Sequence, residues 1–266
     1  MRKKKKNRPA PLGKLVAVLT VVLILLLLIS WMTETGVLLW EPNLLKESDF
    51  AWENGRMQYL SGEAAHGIDV SYYQGDIDWQ KVKASGVEFA FVRVGYRSSR
   101  DGGLYEDERA RENLAEAAAA GVQVGAYFFS QAISVQEAAR EAEFTLALLR
   151  DYELQLPVVF DWEPYGEQSR TEGITRDQLT RCVRAFCDPV EAAGYDSMVY
   201  FNRDLSQRVM NILALSEYGV WYAQYDSWPN APCRIDYWQY TDQGTVPGIE
   251  GKVDLNLYFS ENRNDP

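Results

Sequence analysis

Histidine is almost absent from this chain of 266 residues. Its one imidazole, His66, excludes a zinc or iron site built from two or three histidines, and a Ser-His-Asp triad would have to use that residue. No G-x-S-x-G elbow, P-loop or dinucleotide-binding glycine fingerprint occurs, so the common nucleophile and nucleotide chemistries lack their usual frames. Cysteine is scarce and unpaired in pattern: Cys182, Cys187 and Cys233 form no C-x-x-C, and three cannot all be bridged within one chain. Positions 182 and 187 fall in one helix-like window, ~140° apart around the helix, so a bridge between them would distort it. All three are expected to be free and buried. With 24% charged and 47% hydrophobic residues, the composition is not that of a disordered or collagen-like chain. Carboxylates must therefore carry most of the proton chemistry.

Acids are what the chain has in surplus, and the surplus is uneven. The formal charge of 27 − 38 = −11 includes a basic block of seven (Arg2, Lys3, Lys4, Lys5, Lys6, Arg8 and Lys14) with no acid among them. The remainder carries 20 − 38 = −18, which argues against a nucleic-acid-binding body. Next comes LVAVLTVVLILLLLISWM, residues 15–32, uncharged and ~27 Å long as a helix, just enough for a hydrocarbon core. The basic flank places the amino terminus on the cytoplasmic side and exports the rest. Ser-Trp-Met-Thr-Glu-Thr follows instead of an A-x-A-like site, which favours an uncleaved anchor over a signal peptide. The expected organisation is a cytoplasmic tail at 1–14, a transmembrane anchor at 15–32, a stalk at 33–64 that could in part pack as a short helix or lie near lipid, and a barrel domain at 65–266. The expected location is the cell membrane, single-pass, with the carboxyl-terminal domain outside.

Beyond the stalk, strand-length apolar runs alternate with helix-like windows. Candidate strands are His66–Ser71, Phe89–Tyr96, Val122–Ser130, Leu156–Glu163, Ser197–Asn202, Val220–Tyr225, Ile235–Thr241 and Val253–Phe259. Helical periodicity fills Glu106–Ala120, Val135–Tyr152 and Arg176–Ala193, and Gly86, Gly121 and Gly194 stand where helices should end. The last three strands have short Gly- and Pro-rich connections, so helices drop out near the carboxyl end. The pattern predicts an α/β fold, a parallel barrel of roughly eight strands with incomplete helical cover.

In LPVVFDWEPYG, an apolar strand runs into Asp161-Trp162-Glu163 and is stopped by Pro164. Residues two apart on a strand face the same side, so Asp161 and Glu163 stand ~6.6 Å apart at Cα on one face. Paired carboxylates repel, which drives one to hold a proton while the other ionises, the division of labour that glycoside hydrolysis requires. Alone, D-x-E reads more readily as solvated residues at a loop start or as partners of nearby arginines. Asp69 at the end of the first strand and Asp254 in the last add two acids that a closed barrel brings to the same mouth.

These residues resemble the glycoside hydrolase family 25 lysozymes (N-acetylmuramidases). The resemblance rests on GIDVSYYQGDIDWQKVKASGVEFAFVRVGY, GAYFFS, VVFDWE, WYAQY and WQYTDQGTVPGIEGKVDLN, in that order, from about His66 to Phe259. It implies an irregular TIM-like (β/α)5(β)3 barrel that cleaves the β-1,4 bond between N-acetylmuramic acid and N-acetylglucosamine in peptidoglycan. It further implies Glu163 as general acid, Asp161 as its partner carboxylate, by attack or by orienting the substrate acetamido group, and Asp69 and Asp254 as the acids that set their protonation and hold the sugar. Phe128 stands where many relatives carry histidine.

Tyr127, Tyr200, Trp221, Tyr225 and Trp238 fall on expected strands or their ends and are candidates to stack against sugar rings, with core packing as the alternative. Arg93, inside an apolar strand, is expected to be a buried partner of the acids. His66 reads as structural. No cofactor and no metal are expected, and the partners are peptidoglycan strands and the membrane. The competing functions are a non-catalytic glycan-binding or scaffold module on the same anchor and a carboxylate-held metal in the acidic mouth.

Overall fold

The computed structural model describes residues 12–34, 41–166 and 169–260. The elements in chain order are α1 (Leu12–Glu34), β1 (Phe50–Glu53), β2 (Arg56–Tyr59), β3 (Ala64–Val70), α2 (Trp79–Ala84), β4 (Phe89–Arg97), β5 (Leu104–Glu106), α3 (Ala110–Ala119), β6 (Gln123–Ser130), α4 (Val135–Leu149), β7 (Val158–Trp162), α5 (Arg176–Ala192), β8 (Ser197–Asn202), α6 (Arg203–Arg208), β9 (Gly219–Ala223), β10 (Tyr237–Gly244) and β11 (Val253–Phe259). All eight expected strands form, with ends within a few residues. The three expected helices form too, and the glycines after α2, α3 and α5 take φ of 90°, 77° and 92°.

Neighbouring strands run β3, β11, β10, β9, β8, β7, β6, β4, and β3 pairs with β4 to close an eight-stranded barrel; β5 extends it as an antiparallel edge on β4. Helices follow each of the first five barrel strands and none, among the described residues, lies between β9 and β11. The all-parallel expectation needs one correction. β11 is antiparallel to both β10 and β3, with Asp254 directly opposite Asp69. A parallel last strand would put Asp254, near its start, at the far end of the barrel; reversing the strand brings it to the mouth where the other strands end.

Strand alternation sorts the core into two. Phe89, Phe91, Val159, Met198, Trp221 and Tyr237 pack inside the barrel, while Val92, Phe128, Phe160, Phe186 and Leu257 belong to the layer between barrel and helices. The inner rings fit because glycines face them. A Cβ on Gly67 would stand 2.3 Å from the Phe89 ring, and one on Gly125 would stand 2.6 Å from that of Phe91. Aromatic rings thus fill the lower barrel, and polar side chains can reach open space at the opposite, carboxyl-terminal mouth.

The stretch 33–64, expected as a stalk, is part of the body from Glu41 onward. β1 and β2 form a hairpin around Asn54 and Gly55, both at positive φ, and it lies over the outer faces of β10 and β11, where no helix covers the barrel. Phe50 packs against Trp238 and Phe259 at ring distances of 5.0 and 6.0 Å, and Trp52 meets Tyr240 at 5.8 Å. Arg234 bonds both the backbone and the side chain of Glu41, and Asn43 donates to the Pro229 carbonyl at 2.7 Å.

The expected anchor falls on α1, along which the side chains described are Val16 and residues 18–30, all exposed. Among the described residues no helix is long and apolar enough to cross a membrane. The basic residues Arg2 to Arg8 and the segment 35–40 lie outside the described residues. Cys182, Cys187 and Cys233 are free and buried, as expected, and burial pushes the thiols up, to about 11 for Cys182 and about 12 for Cys233.

Candidate active site

Inward parity places the four acids round one cavity. Asp69 on β3, Asp161 on β7, Glu163 just beyond it and Asp254 on β11 all line a recess of about 270 Å³ at the carboxyl-terminal mouth. On β7 the intervening Trp162 points outward and donates its indole N–H to the Ala132 carbonyl at 2.9 Å, which locks the strand's facing. Beyond β7, the Glu163 carbonyl accepts from Gln131 Nε2, and Arg170 donates to the Gln131 carbonyl at 2.7 Å. The loop that carries Glu163 is therefore tied to the loop after β6.

Asp69 is the best-supported of the four. Its Oδ2 accepts from Gln239 Nε2 at 2.9 Å and from Asn256 Nδ2 at 2.8 Å. Asn256 is oriented in turn by accepting the Trp221 indole N–H at 2.8 Å, and Gln239 by accepting from the Tyr225 hydroxyl at 2.9 Å. Burial raises the Asp69 carboxyl to about 6 against those bonds, which favour the charged form. Glu163 is raised to about 7 by burial and then by the Asp69 charge, and Asp254 to about 8 by burial, then Asp69 and Asp242. Asp161 is pushed well up by burial and by Glu163 and Asp69, while Arg93 pulls it back; its Oδ1 is buried with no hydrogen-bond partner. Four carboxyl groups in one low-dielectric recess cannot all be ionised, so protons are shared over the cluster. Among the described residues no group of three or more His, Cys, Asp or Glu side chains is placed to hold a metal ion.

Of the expected aromatic residues, Tyr127, Tyr200, Trp221 and Tyr225 line this recess, with Trp221 stacked on Phe91 at 4.8 Å as its floor. Trp238 does not. It points to the outer face of β10, is fully buried under Phe50 and donates its indole N–H to the Gln224 carbonyl at 2.8 Å. Parity explains the difference, since Tyr237 and Gln239 take the inward positions of that strand. Phe128 likewise faces outward, against Phe144 and Phe186. Arg93 lines the recess and is buried, but the carboxylate it bonds is Asp107, at 2.8 Å, rather than any of the four acids. His66 sits three residues before Asp69, away from the mouth, its pKa lowered by burial. Gln239, Asn256, Tyr73 and Phe129 join the site without having been expected. The first two were readable as positions i+2 from inward residues of their strands.

Residues 68–249 match the model of the Glycosyl hydrolases family 25. The chain belongs to this family. Its relatives include the autolytic lysozyme of Clostridium acetobutylicum, 31% identical over 201 residues, covering 73% of this chain and 56% of the relative. Lysozyme M1 of Streptomyces globisporus is 27% identical over 202 residues, covering 72% and 67%. This chain thus spans between about half and two thirds of the length of these curated relatives. Among solved structures, the modular autolysin LytC of Streptococcus pneumoniae in complex with a synthetic peptidoglycan ligand superposes with a TM-score of 0.67 at 25% identity, covering 79% of this chain and 52% of that one. A family 25 glycosyl hydrolase of Bacillus anthracis shares the fold at a TM-score of 0.66, with 23% identity and coverage of 79% and 95%.

Proposed function

We propose that the chain is a membrane-tethered muramidase that cuts the β-1,4 bond between N-acetylmuramic acid and N-acetylglucosamine in peptidoglycan. The observation that carries the reading is the convergence of Asp69, Asp161, Glu163 and Asp254 on one recess floored by Trp221. Family membership and the lysozyme relatives support the class of reaction. Asp161 is raised as well, by burial, Glu163 and Asp69 against the pull of the Arg93 cation, whereas Glu163 is raised to about 7 by burial and the Asp69 charge, a range in which it both holds a proton near neutral pH and can give it up. The transferable proton therefore sits on Glu163, which gives it to the departing glycosidic oxygen as the bond breaks. Asp161 carries the negative charge beneath the developing positive charge of the sugar, as nucleophile or as the group that orients the acetamido oxygen. Asp69, held by two amides, and Asp254 keep the cluster's potential negative and its protons shared. Tyr127, Tyr200 and Tyr225 supply ring faces and hydroxyls to the saccharide.

Glu163→Gln keeps size and hydrogen bonding but has no proton to give. In the full-length chain in detergent it is expected to lower release of reducing ends from peptidoglycan by at least about 100-fold, the usual scale of a general acid. Undiminished release would remove the assignment. A scaffold that only retains glycan would bind the strands and release nothing, in wild type and variant alike.

The tether reading rests on the uncharged run 15–32 and the basic flank before it. On fractionation of cells that express the full chain, the protein is expected with membranes and to resist extraction by salt; recovery from the medium would point to cleavage instead.

A further inference from the structure

A second recess opens beside the acidic one and is larger, about 620 Å³. The two share Tyr73, Arg93 and Phe129, and the second extends over the turn between β4 and β5 to Tyr165, beyond Glu163. Its charge is of the opposite sign. Arg93, Arg97 and Arg100 line it, with Asp101 as the single acid. Asp101 is already engaged, accepting from the Gly103 N–H and the Tyr105 hydroxyl at 2.9 Å each. Arg97 is engaged too, with Glu141 at 2.6 Å and the carbonyls of Gly102 and Glu137.

One cation is left over, and one N–H of a second that is already paired. Arg100 is exposed and its guanidinium makes no ion pair among the described residues. Arg93 is only 8% exposed, is fixed through Nε by Asp107 at 2.8 Å, and lies 5.1 to 5.5 Å from the ring centres of Tyr72, Tyr73 and Tyr96. Its Nη2 is buried without a hydrogen-bond partner. An unsatisfied N–H on a buried cation is costly, and the planar fork of an arginine suits a carboxylate better than any neutral group. A neutral sugar would stack on the tyrosines yet leave the Arg100 charge unmatched.

We propose that this groove binds a carboxylate of the peptide stem carried by the glycan, so that the enzyme selects strands whose stems are present and anionic. The proposal rests on the muramidase reading and adds to it the part of the substrate that lies beside the scissile bond. The stem enters between the β4–β5 turn and Tyr165, its backbone against the aromatic rings and its carboxylate between Arg93 and Arg100.

The test compares three substrates for the full-length chain in detergent: strands with intact stems, the same strands with stem carboxylates converted to amides, and strands stripped of stems, which keep only the lactyl carboxylate. Wild type is expected to show kcat/KM about 10-fold lower on the amidated and stripped strands, mostly through KM, the scale of one charge-assisted hydrogen bond. Arg100→Ala, at an exposed position that folding does not need, is expected to shrink that preference to under about 3-fold. Equal cutting of all three by wild type, or an undiminished preference in Arg100→Ala, would overturn the proposal. Stripped strands cut as fast as intact ones, with amidated strands slow, would mean that the freed lactyl carboxylate serves as well as a stem, so that the groove does not select for stems, and would overturn it equally. No cutting of any substrate would remove the muramidase reading itself, and this proposal with it.

Discussion

Asp69 accepts two amide N–H groups from adjacent strands, Gln239 on β10 and Asn256 on β11, and each amide is held by an aromatic hydroxyl or indole. Such bonds keep a buried carboxylate closer to its ordinary range than burial alone would, and they fix which oxygen faces the recess. Gln239→Ala removes one of them and leaves Asp69 nearer to neutral. A drop of about 10- to 100-fold in kcat/KM on peptidoglycan is expected, with the fold unaltered by circular dichroism. Trp238→Phe, one residue away, is expected to leave kcat/KM within about twofold and to cost roughly 1–3 kcal/mol of stability, because the indole loses its bond to Gln224 and part of its packing on Phe50. Reversed effects in the two variants would mean that the inward and outward faces of β10 have been exchanged. Residue by residue, the four acids were legible from strand ends and from the spacing of Asp161 and Glu163. Trp238 was misplaced because an aromatic on a strand signals burial without saying on which side. Arg93's partner was missed because Asp107 lies after β5, a short edge strand that apolar periodicity does not reveal.

At the scale of elements, the eight barrel strands were legible because both of their faces are apolar, and the helices because each keeps one apolar stripe. Two things were not. The direction of β11 depends on the length and path of the 245–252 connection, and apolar runs carry no arrow. The β1–β2 hairpin was hidden among scattered apolar residues, although Asn54-Gly55 between FAWE and RMQY is itself a strong two-residue hairpin signal. Its position accounts for its sequence. β9, β10 and β11 lack helices, and Phe50, Met57 and Tyr59 cover an outer face that would otherwise expose Trp238, Tyr240 and Phe259. A chain that starts at Ala64, close to where the family match begins, is expected to be poorly soluble and to bind a hydrophobic dye, whereas one that starts at Glu41 stays monodisperse. Equal solubility and melting temperature of the two would show that the hairpin is dispensable cover.

For the molecule as a whole, the acidic mouth works against folding at neutral pH. Asp69, Glu163 and Asp254 titrate at about 6, 7 and 8 in the folded chain, against about 4 when exposed, so the folded state binds more protons than the unfolded one throughout that range. Their favourable contribution is complete below about pH 4 and is lost as pH rises towards 8, so stability falls with rising pH across this window. In the proposed mechanism the same proton on Glu163 goes to the leaving group, so the rate is expected to fall as pH passes about 7, and the range in which the site would work is the range in which it strains the fold least. Asp254→Asn removes the charge without removing the side chain. It is expected to raise the melting temperature at pH 8 by roughly 3–10 °C, corresponding to about 1–3 kcal/mol, with a gap that closes by pH 4 and with activity greatly reduced. Scanning calorimetry of both proteins at pH 4, 6 and 8 measures this directly. A melting temperature for Asp254→Asn at or below wild type at pH 8 would mean that the Asp254 charge is solvated at the mouth rather than held against its neighbours, and the sharing of protons among the four acids would then not include it.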